Sequence, residues 1–177
     1  MRKYIIIVLV LSIAIPSIAQ EKNKKELFFF ITNLGVGLPM NHSSSSSFTW
    51  QVLSYYNITK KLSVGTGTGL LYYDKIFIPL YGNARFQTGN TGRFTPFAEL
   101  ITGYSFATAK NANGGFYMNP SFGIQYPLRN KAKLQLAIGY ELQNTERLKK
   151  QADNYLVKEF VEKQSNQSIS FKLGFIF

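Results

Sequence analysis

The only histidine of the sequence, His42, stands directly before a run of five serines. A serine beside a histidine is a pair that many hydrolases use, with the histidine removing the serine proton. Catalysis also needs a third group that orients the histidine, and a repetitive serine run supplies no such order. We therefore interpret residues 41–47 as a flexible loop, with a Ser–His hydrolase as the alternative.

Metal and phosphate chemistry find little support in the residue types. One histidine and no cysteine leave no basis for the usual nitrogen and sulfur ligands of a zinc site. The segment 65–69, Gly-Thr-Gly-Thr-Gly, lacks the lysine and the strand-to-helix setting of a phosphate-binding loop. On a strand, its glycines would share one face and leave room for bulky neighbours such as Tyr55 and Arg85. We expect no catalytic residues, no metal and no cofactor.

Five charged residues occupy alternate positions in segments that are otherwise apolar, small or uncharged, namely Arg85, Glu99, Lys133, Glu141 and Lys172. The segments that carry them repeat with a period of two, which is the mark of strands with two unlike faces. The period is clearest at the end of the chain, where Phe171, Leu173, Phe175 and Phe177 alternate with small or polar residues. The alternation predicts eight strands, over residues 27–38, 48–58, 62–72, 76–86, 94–106, 116–126, 132–143 and 168–177.

The connections between these strands also alternate in character. Residues 57–61, 87–92 and 128–131 are tight turns rich in Asn, Gly and Lys. The opposite connections are 41–47, 73–75, 110–115 and the long segment 144–167. This pattern predicts an all-β fold, an eight-stranded antiparallel up-and-down transmembrane β-barrel with both termini on the periplasmic side.

The alternation has a physical cause in such a barrel. Hydrocarbon cannot hydrogen-bond a bare strand edge, so only a closed ring spans it, and lipid wets the apolar outer face. The interior of eight strands is just wide enough for side chains to fill. A soluble barrel of the lipocalin type would turn its apolar face inward, and alternation alone does not separate the two.

The five charged residues would then face inward, where buried charges are costly unless they are paired. We predict that Glu99 and Glu141 pair with some of the three cations, and that Arg85, Glu99 and Lys172 lie at similar heights. Because eight strands leave little lumen, we expect these charges to close the barrel. A selective pore is the alternative.

Residues 1–19 predict a cleaved signal peptide. Arg2 and Lys3 form a positive start, residues 5–15 are apolar apart from one serine, and small residues precede a cut after Ala19. Residues 20–26 would be a short periplasmic segment and 27–177 the barrel.

The net charge of +11 points to different partners in an exported chain than in a chain that stays in the cytoplasm. A basic balance suits nucleic acid, but an exported chain does not normally meet nucleic acid, and we expect no such partner. The lysines cluster in turns and loops, either as solvated ends of strands or as contacts to anionic lipid head groups.

The final segment, residues 171–177, resembles the C-terminal strand of bacterial outer-membrane proteins, and residues 94–99 and 103–104 resemble a recurring strand of that group. Over residues 27–177 the chain is similar to small OmpA/OmpX-like barrels and to the outer membrane protein beta-barrel domain family. The resemblance implies an outer-membrane location, contact with outer-membrane lipid and lipopolysaccharide, and recognition by the barrel-insertion machinery. Phe171, Leu173, Phe175 and Phe177 would form the insertion signal.

Residues 144–167 are the expected working surface. Apolar residues from Leu148 to Phe160 have helical spacing, but residues 155–161 also keep the parity of the final strand. Residues 151–154 suit a hairpin turn, so we favour a hairpin that projects above the membrane and could bind a partner by strand addition.

The sequence thus predicts a non-enzymatic outer-membrane barrel that supports envelope integrity or surface interaction through its outer loops. An outer-membrane lipid hydrolase, a small-solute channel and a soluble periplasmic lipocalin-like binder are the alternatives.

Overall fold

The described part of the chain consists of antiparallel strands that close into a ring. In a computed structural model the strands are β1 (Phe28–Pro39), β2 (Ser47–Asn57), β3 (Leu62–Tyr72), β4 (Ile76–Gln87), β5 (Thr95–Ala107), β6 (Ala112–Asn113), β7 (Gly115–Pro127), β8 (Lys133–Asp153) and β9 (Leu156–Ile176). The structure describes residues 27–40, 46–73, 75–88, 93–108, 112–128, 132–153 and 156–177, with only the backbone at 112 and 146–164. The predicted signal peptide 1–19, the segment 20–26 and His42 lie outside these residues.

Eight long strands form the ring because each pairs with the next long strand and the first pairs with the last. The sheet order is β6-β8-β7-β5-β4-β3-β2-β1-β9, and pairing of β8 with β9 completes the circle. At the seam, Phe30 N donates to Phe177 O at 3.1 Å and Phe177 N donates to Phe30 O at 2.9 Å. The short β6 pairs with β8 through Ala112 opposite Arg147 and Asn113 opposite Glu146.

The predicted strand bounds are confirmed within one residue for the first six long strands. The last two strands are each 21 residues long, because β8 and β9 continue through most of the segment 144–167 as one hairpin. The hairpin prediction is therefore confirmed, but the predicted turn at 151–154 is wrong, since Ala152 lies opposite Val157 and Asp153 opposite Leu156. The strand β6 was not predicted, because two residues give no periodicity.

The outward face of the ring is apolar. Leu34, Leu80, Phe122, Leu136 and Phe171 all lie on it, and Phe122 is 69% exposed. Soluble monomers rarely tolerate a continuous apolar surface of this kind, whereas lipid wets it. The soluble lipocalin-like alternative requires the opposite arrangement, and the observed outward face argues against it.

Aromatic rings collect at both ends of the outward face. We call the end that carries Phe28 and Phe177 the terminal end. There the ring centroids of Phe28 and Tyr56 are 5.0 Å apart and those of Phe94 and Tyr126 are 5.4 Å apart. The opposite end, from which the β8–β9 hairpin projects, is the hairpin end, and its belt includes exposed Phe48, Tyr72, Tyr104 and Phe106. Two such belts mark the membrane–water interfaces of a transmembrane barrel.

The inward face fills the ring with small, polar and aromatic side chains. Leu53 and Ile101 are fully buried and belong to one apolar cluster with Tyr55. Gly65 lies opposite Tyr55, and a Cβ atom at Gly65 would collide with the backbone of β2. Of the two bulky neighbours predicted for the glycines, only Tyr55 lies directly opposite one, since Arg85 lies opposite Ser63.

Candidate functional site: the closed interior and the projecting hairpin

Glu99 on β5 is the centre of a buried ion-pair cluster. Arg85 Nη1 donates to Glu99 Oε1 at 3.0 Å, and the Tyr55 hydroxyl donates to the same oxygen at 2.8 Å. Lys172 Nζ lies 3.8 Å from the other carboxylate oxygen, Oε2. Two cations therefore share one carboxylate in the interior of the barrel, at one level as the strand counts predict.

Arg85 extends this cluster across the lumen. Its Nη1 also donates to Gln135 Oε1 at 2.8 Å, and its Nη2 donates to Gln125 Oε1 at 3.3 Å. Gln135 Nε2 in turn donates to Asn33 Oδ1 at 2.6 Å. With the residues around Glu99, the cluster draws on β1, β2, β4, β5, β7, β8 and β9. All the long strands except β3 are thus tied together through side chains inside the ring.

The side chains of the same cluster are packed in the interior. The guanidinium carbon of Arg85 lies 3.5 Å from the centroid of the Phe97 ring, so an aromatic face covers one side of the plane in which Arg85 donates its hydrogen bonds. Arg85 is 1% exposed, Glu99 3% and Lys172 3%. Side chains therefore fill the interior at this level, as expected for eight strands.

Lys172 is held by charge more than by hydrogen bonds. Among the described residues, neither Lys172 Nζ nor Glu99 Oε2 has a hydrogen-bond partner, and the 3.8 Å between them is longer than a hydrogen bond. The ammonium therefore depends on the negative charge of Glu99 for its compensation.

The second buried carboxylate, Glu141 on β8, is held by hydroxyl groups. Ser47 Oγ and Tyr73 Oη each donate to Glu141 Oε1 at 2.8 Å, and Tyr117 Oη donates to Oε2 at 3.0 Å. The prediction that Glu141 forms a salt bridge is wrong for the part of the chain that the structure describes. The side chains that contact Glu141 belong to serine and tyrosine residues. The two buried cations, Arg85 and Lys172, lie against Glu99 instead.

Lys133 also departs from the prediction. It begins β8 at the rim of the terminal end, opposite Ile176, and is only half-buried. Within the described ranges it forms no ion pair with the interior carboxylates. A residue at the mouth of a barrel keeps its water, so parity alone does not place a charge in the interior.

Beyond the ring, β8 and β9 continue as a two-stranded ribbon. Their register runs without interruption from Lys133 opposite Ile176 to Asp153 opposite Leu156. The pairing of β9 with β1 ends earlier, at Pro39 opposite Ser168, followed by one bond from Met40 N to Gln167 O. As far as the described residues show, one edge of β9 over 156–166 therefore has no neighbouring strand.

Opposite charges face each other along this ribbon. The register places residues of unlike sign across from one another at Glu146 and Lys163, Arg147 and Glu162, and Lys150 and Glu159. Directly opposed residues of opposite charge stabilise an antiparallel pair, and like charges destabilise it. The ribbon sequence thus favours this register even where the ring no longer supports it.

The outer wall of the barrel is concave across β7, β8, β9 and β1. The concavity has a volume of about 620 Å³ and is lined by outward residues that include Leu34, Phe122, Ile138 and Phe171. Apart from Lys172, its lining is apolar, so the several convergent polar groups that chemistry requires are not present, and the concavity suits hydrocarbon.

Other chemistry receives no structural support. The described residues hold no group of three or more His, Cys, Asp or Glu side chains that could bind a metal ion. In the same ranges no helix is long and apolar enough to cross a membrane. His42 lies outside the described residues, so the structure gives no distance between His42 and a serine that could test the Ser–His alternative.

Sequence reasoning found the charged residues of the interior and missed their neutral partners. Tyr55 and Tyr117 donate to the two carboxylates, and Gln125 and Gln135 accept from Arg85. All four occupy inward positions of the same alternation, which was the signal that could have found them.

The sequence matches no protein-family model and no curated protein. Among solved structures, Neisserial surface protein A has 11% identity and a TM-score of 0.58, covering 84% of this chain and 95% of its own. The outer membrane protein OprG from Pseudomonas aeruginosa has 13% identity and a TM-score of 0.59, covering 84% and 94%. The outer membrane protein AlkL has 11% identity and a TM-score of 0.50, covering 90% and 94%. The predicted fold, a closed eight-stranded antiparallel barrel like those of small outer-membrane proteins, is confirmed.

Proposed function

We propose that this chain is a non-enzymatic barrel of the bacterial outer membrane, with a closed lumen and a surface hairpin as its point of interaction. The observation that carries the proposal is the inversion of its faces. Exposed apolar residues cover the outside, while Arg85, Glu99 and Lys172 are buried inside. A chain with this arrangement is stable only where lipid surrounds it.

The closed interior supports a role in envelope integrity over a role as a channel. A conducting barrel needs a continuous polar passage, but the Arg85 cluster crosses the lumen and an apolar cluster that includes Leu53 and Ile101 fills the space beside it. In planar bilayers we expect no steady conductance steps from the wild-type protein. Reproducible steps would favour the small-solute channel.

The hairpin supports a role in surface interaction. Its free edge on β9 offers main-chain donors and acceptors, and an extended segment of a partner could add to it as a strand. The hydrogen-bond pattern from Phe177 to Gln167 directs the backbone groups of odd-numbered β9 residues toward β1. Continued along the uninterrupted register, it directs those of Val161 to the free edge and those of Phe160 to β8.

This parity provides a matched pair of variants. Val161→Pro should block the free edge and leave the ribbon intact, because proline is tolerated at the outer side of an edge strand. Phe160→Pro should break the ribbon itself. Binding by strand addition requires that both variants lose a surface partner while only Phe160→Pro alters the ribbon, as measured by hydrogen exchange of the β8 amides.

The absence of native cysteine gives a direct test of the proposed orientation. A single cysteine at Gln151 in the hairpin should react with a membrane-impermeant maleimide in intact cells. A single cysteine at Lys60, at the terminal end, should react only after the outer membrane is permeabilised. Equal labelling of both in intact cells, or labelling of neither after permeabilisation, would contradict the proposal.

A further inference from the structure

The positive charge of the chain is concentrated at the terminal end of the barrel. The three connections there, residues 57–62, 87–95 and 127–133, contain six Lys or Arg residues and no Asp or Glu. Among the described members, Lys60, Lys61 and Arg93 are exposed. We call these three residues the basic rim.

The interior and the ribbon are close to charge balance. The interior holds two cations and two carboxylates, Arg85 and Lys172 with Glu99 and Glu141. The ribbon segment 144–167 contains five cations and four acids in its sequence. The basic rim is therefore a local excess of positive charge relative to the interior and the ribbon.

The basic rim lies at the level of lipid head groups. Arg93 is adjacent to Phe94, and Lys60 follows Tyr56 by four residues, so each cation stands just beyond the aromatic belt of the terminal end. Aromatic belts sit at the membrane–water interface. Cations placed directly beyond such a belt meet the phosphates of the adjoining leaflet.

Local hydrogen bonds hold the rim in place. Thr59 Oγ1 accepts from Leu62 N at 2.9 Å and from Lys61 N at 3.2 Å, which fixes the turn. Gln87 N donates to Lys61 O at 2.8 Å, so this turn is bonded to the start of the connection that carries Arg93. The backbone of the turn that carries Lys60 and Lys61 is thus fixed relative to the barrel.

We propose that the basic rim binds the anionic phospholipid head groups of the leaflet at the terminal end. Each Lys or Arg near a negatively charged surface contributes about a fivefold preference at low salt, and the guanidinium of Arg93 matches two phosphate oxygens at once. Among the described residues, the acidic ones belong to the interior, at Glu99 and Glu141, or to the ribbon, and not to the rim. This inference rests on the proposed membrane location, and it adds the leaflet and the lipid class.

The test uses the mature chain inserted into phosphatidylcholine vesicles that contain trace spin-labelled lipid. Electron paramagnetic resonance measures the relative association of labelled phosphatidylglycerol over labelled phosphatidylcholine with the barrel. We expect a roughly three- to tenfold preference for phosphatidylglycerol in 20 mM salt, because the label averages over all lipids around the barrel. The preference should approach unity in about 1 M salt, where the screening length falls to about 3 Å.

Two triple variants separate position from total charge. Lys60→Gln with Lys61→Gln and Arg93→Gln should abolish the preference. Lys149→Gln with Lys150→Gln and Lys158→Gln, in the ribbon, removes the same charge and should leave the preference unchanged. Both proteins should retain a heat-dependent shift in gel mobility, which reports a folded barrel.

Equal association of both lipids with the wild-type protein would overturn the inference, and so would an equal loss of preference in both triple variants. Loss of the preference on adding 10 mM inorganic phosphate at constant ionic strength would identify a free-anion site in place of a lipid surface. Failure of the wild-type chain to insert into vesicles at all would instead refute the proposed membrane barrel.

Discussion

Replacing Glu99 with glutamine should destabilise the barrel more than the same replacement at Glu141. The two side chains are almost equally buried, 3% and 1% exposed, but their partners differ. Glu99 lies against two cations, whereas Glu141 accepts hydrogen bonds from three hydroxyl groups. Glutamine keeps the shape and one acceptor oxygen at each position, removes the charge, and replaces the other oxygen with an NH2 donor.

The magnitudes follow from those partners. Removing one member of a buried ion pair costs about 3–5 kcal/mol because the other charge is left uncompensated. At Glu99 both Arg85 and Lys172 lose their carboxylate, so we expect a loss in the upper half of that range. At Glu141 the amide oxygen still accepts from hydroxyl groups, and a hydroxyl group that faces the new NH2 can rotate to accept from it. The loss is then the difference between charged and neutral hydrogen bonds, about 1–3 kcal/mol in total.

Equilibrium urea unfolding in lipid vesicles measures both variants, with the single tryptophan, Trp50, as the fluorescent reporter. Adding Lys172→Met to Glu99→Gln should restore part of the lost free energy of unfolding, because it removes one of the two unpaired cations. A loss at Glu141 equal to that at Glu99, or a double variant less stable than Glu99→Gln alone, would show that ion pairing does not hold the interior together.

Three further outcomes follow from the structure. Gly65→Val should prevent barrel closure, because its Cβ would collide with the backbone of β2. Gly82→Val should not, because the nearest atom is 3.9 Å from a Cβ at that position. Heat-dependent gel mobility after refolding compares the two variants. Replacing residues 150–159 with Asn-Gly, which joins the opposed Lys149 and Phe160 by a tight turn, should change the free energy of unfolding by less than about 1 kcal/mol, and a larger loss in urea titration would mean that the ribbon supports the ring. Phe177→Ala should slow assembly in cells but not refolding in detergent, since residue Phe177 is 68% exposed and its backbone, which the variant keeps, makes the seam hydrogen bonds. If the variant assembled in cells as fast as wild type, Phe177 would not be part of the insertion signal.

The sequence predicted most of the ring because alternation is a property of each strand by itself. Lipid requires an apolar residue at every second position of a strand, and the alternation stops at the turns. The ends of the alternation therefore predicted the bounds of β1 to β5 and of β7 within one residue. The ribbon lacks this constraint, since neither of its faces must be apolar outside lipid. Its extent over 144–153 and 156–167 therefore needed the register between β8 and β9.

The contacts inside the barrel were harder to predict. Parity places Glu99, Glu141 and their neighbours on the inner face, but the height of each side chain depends on the stagger between strands. That stagger decides that Arg85 meets Glu99 while Glu141 meets Tyr73 and Ser47. No single strand contains this information.

The seam between β1 and β9 joins the first and the last strands of the chain, with Ile31 opposite Ile176. A pairing between such distant positions carries the largest loop-closure entropy of the fold, and contacts of this kind form slowly. Because a chain is synthesised from its N-terminus, the open edge of β1 exists well before β9 can cover it. Bare edges associate with one another in water and are not tolerated in lipid. Assembly of this protein should therefore be all-or-none. Until the final strand pairs with β1, the incomplete chain must be kept from associating with other incomplete chains.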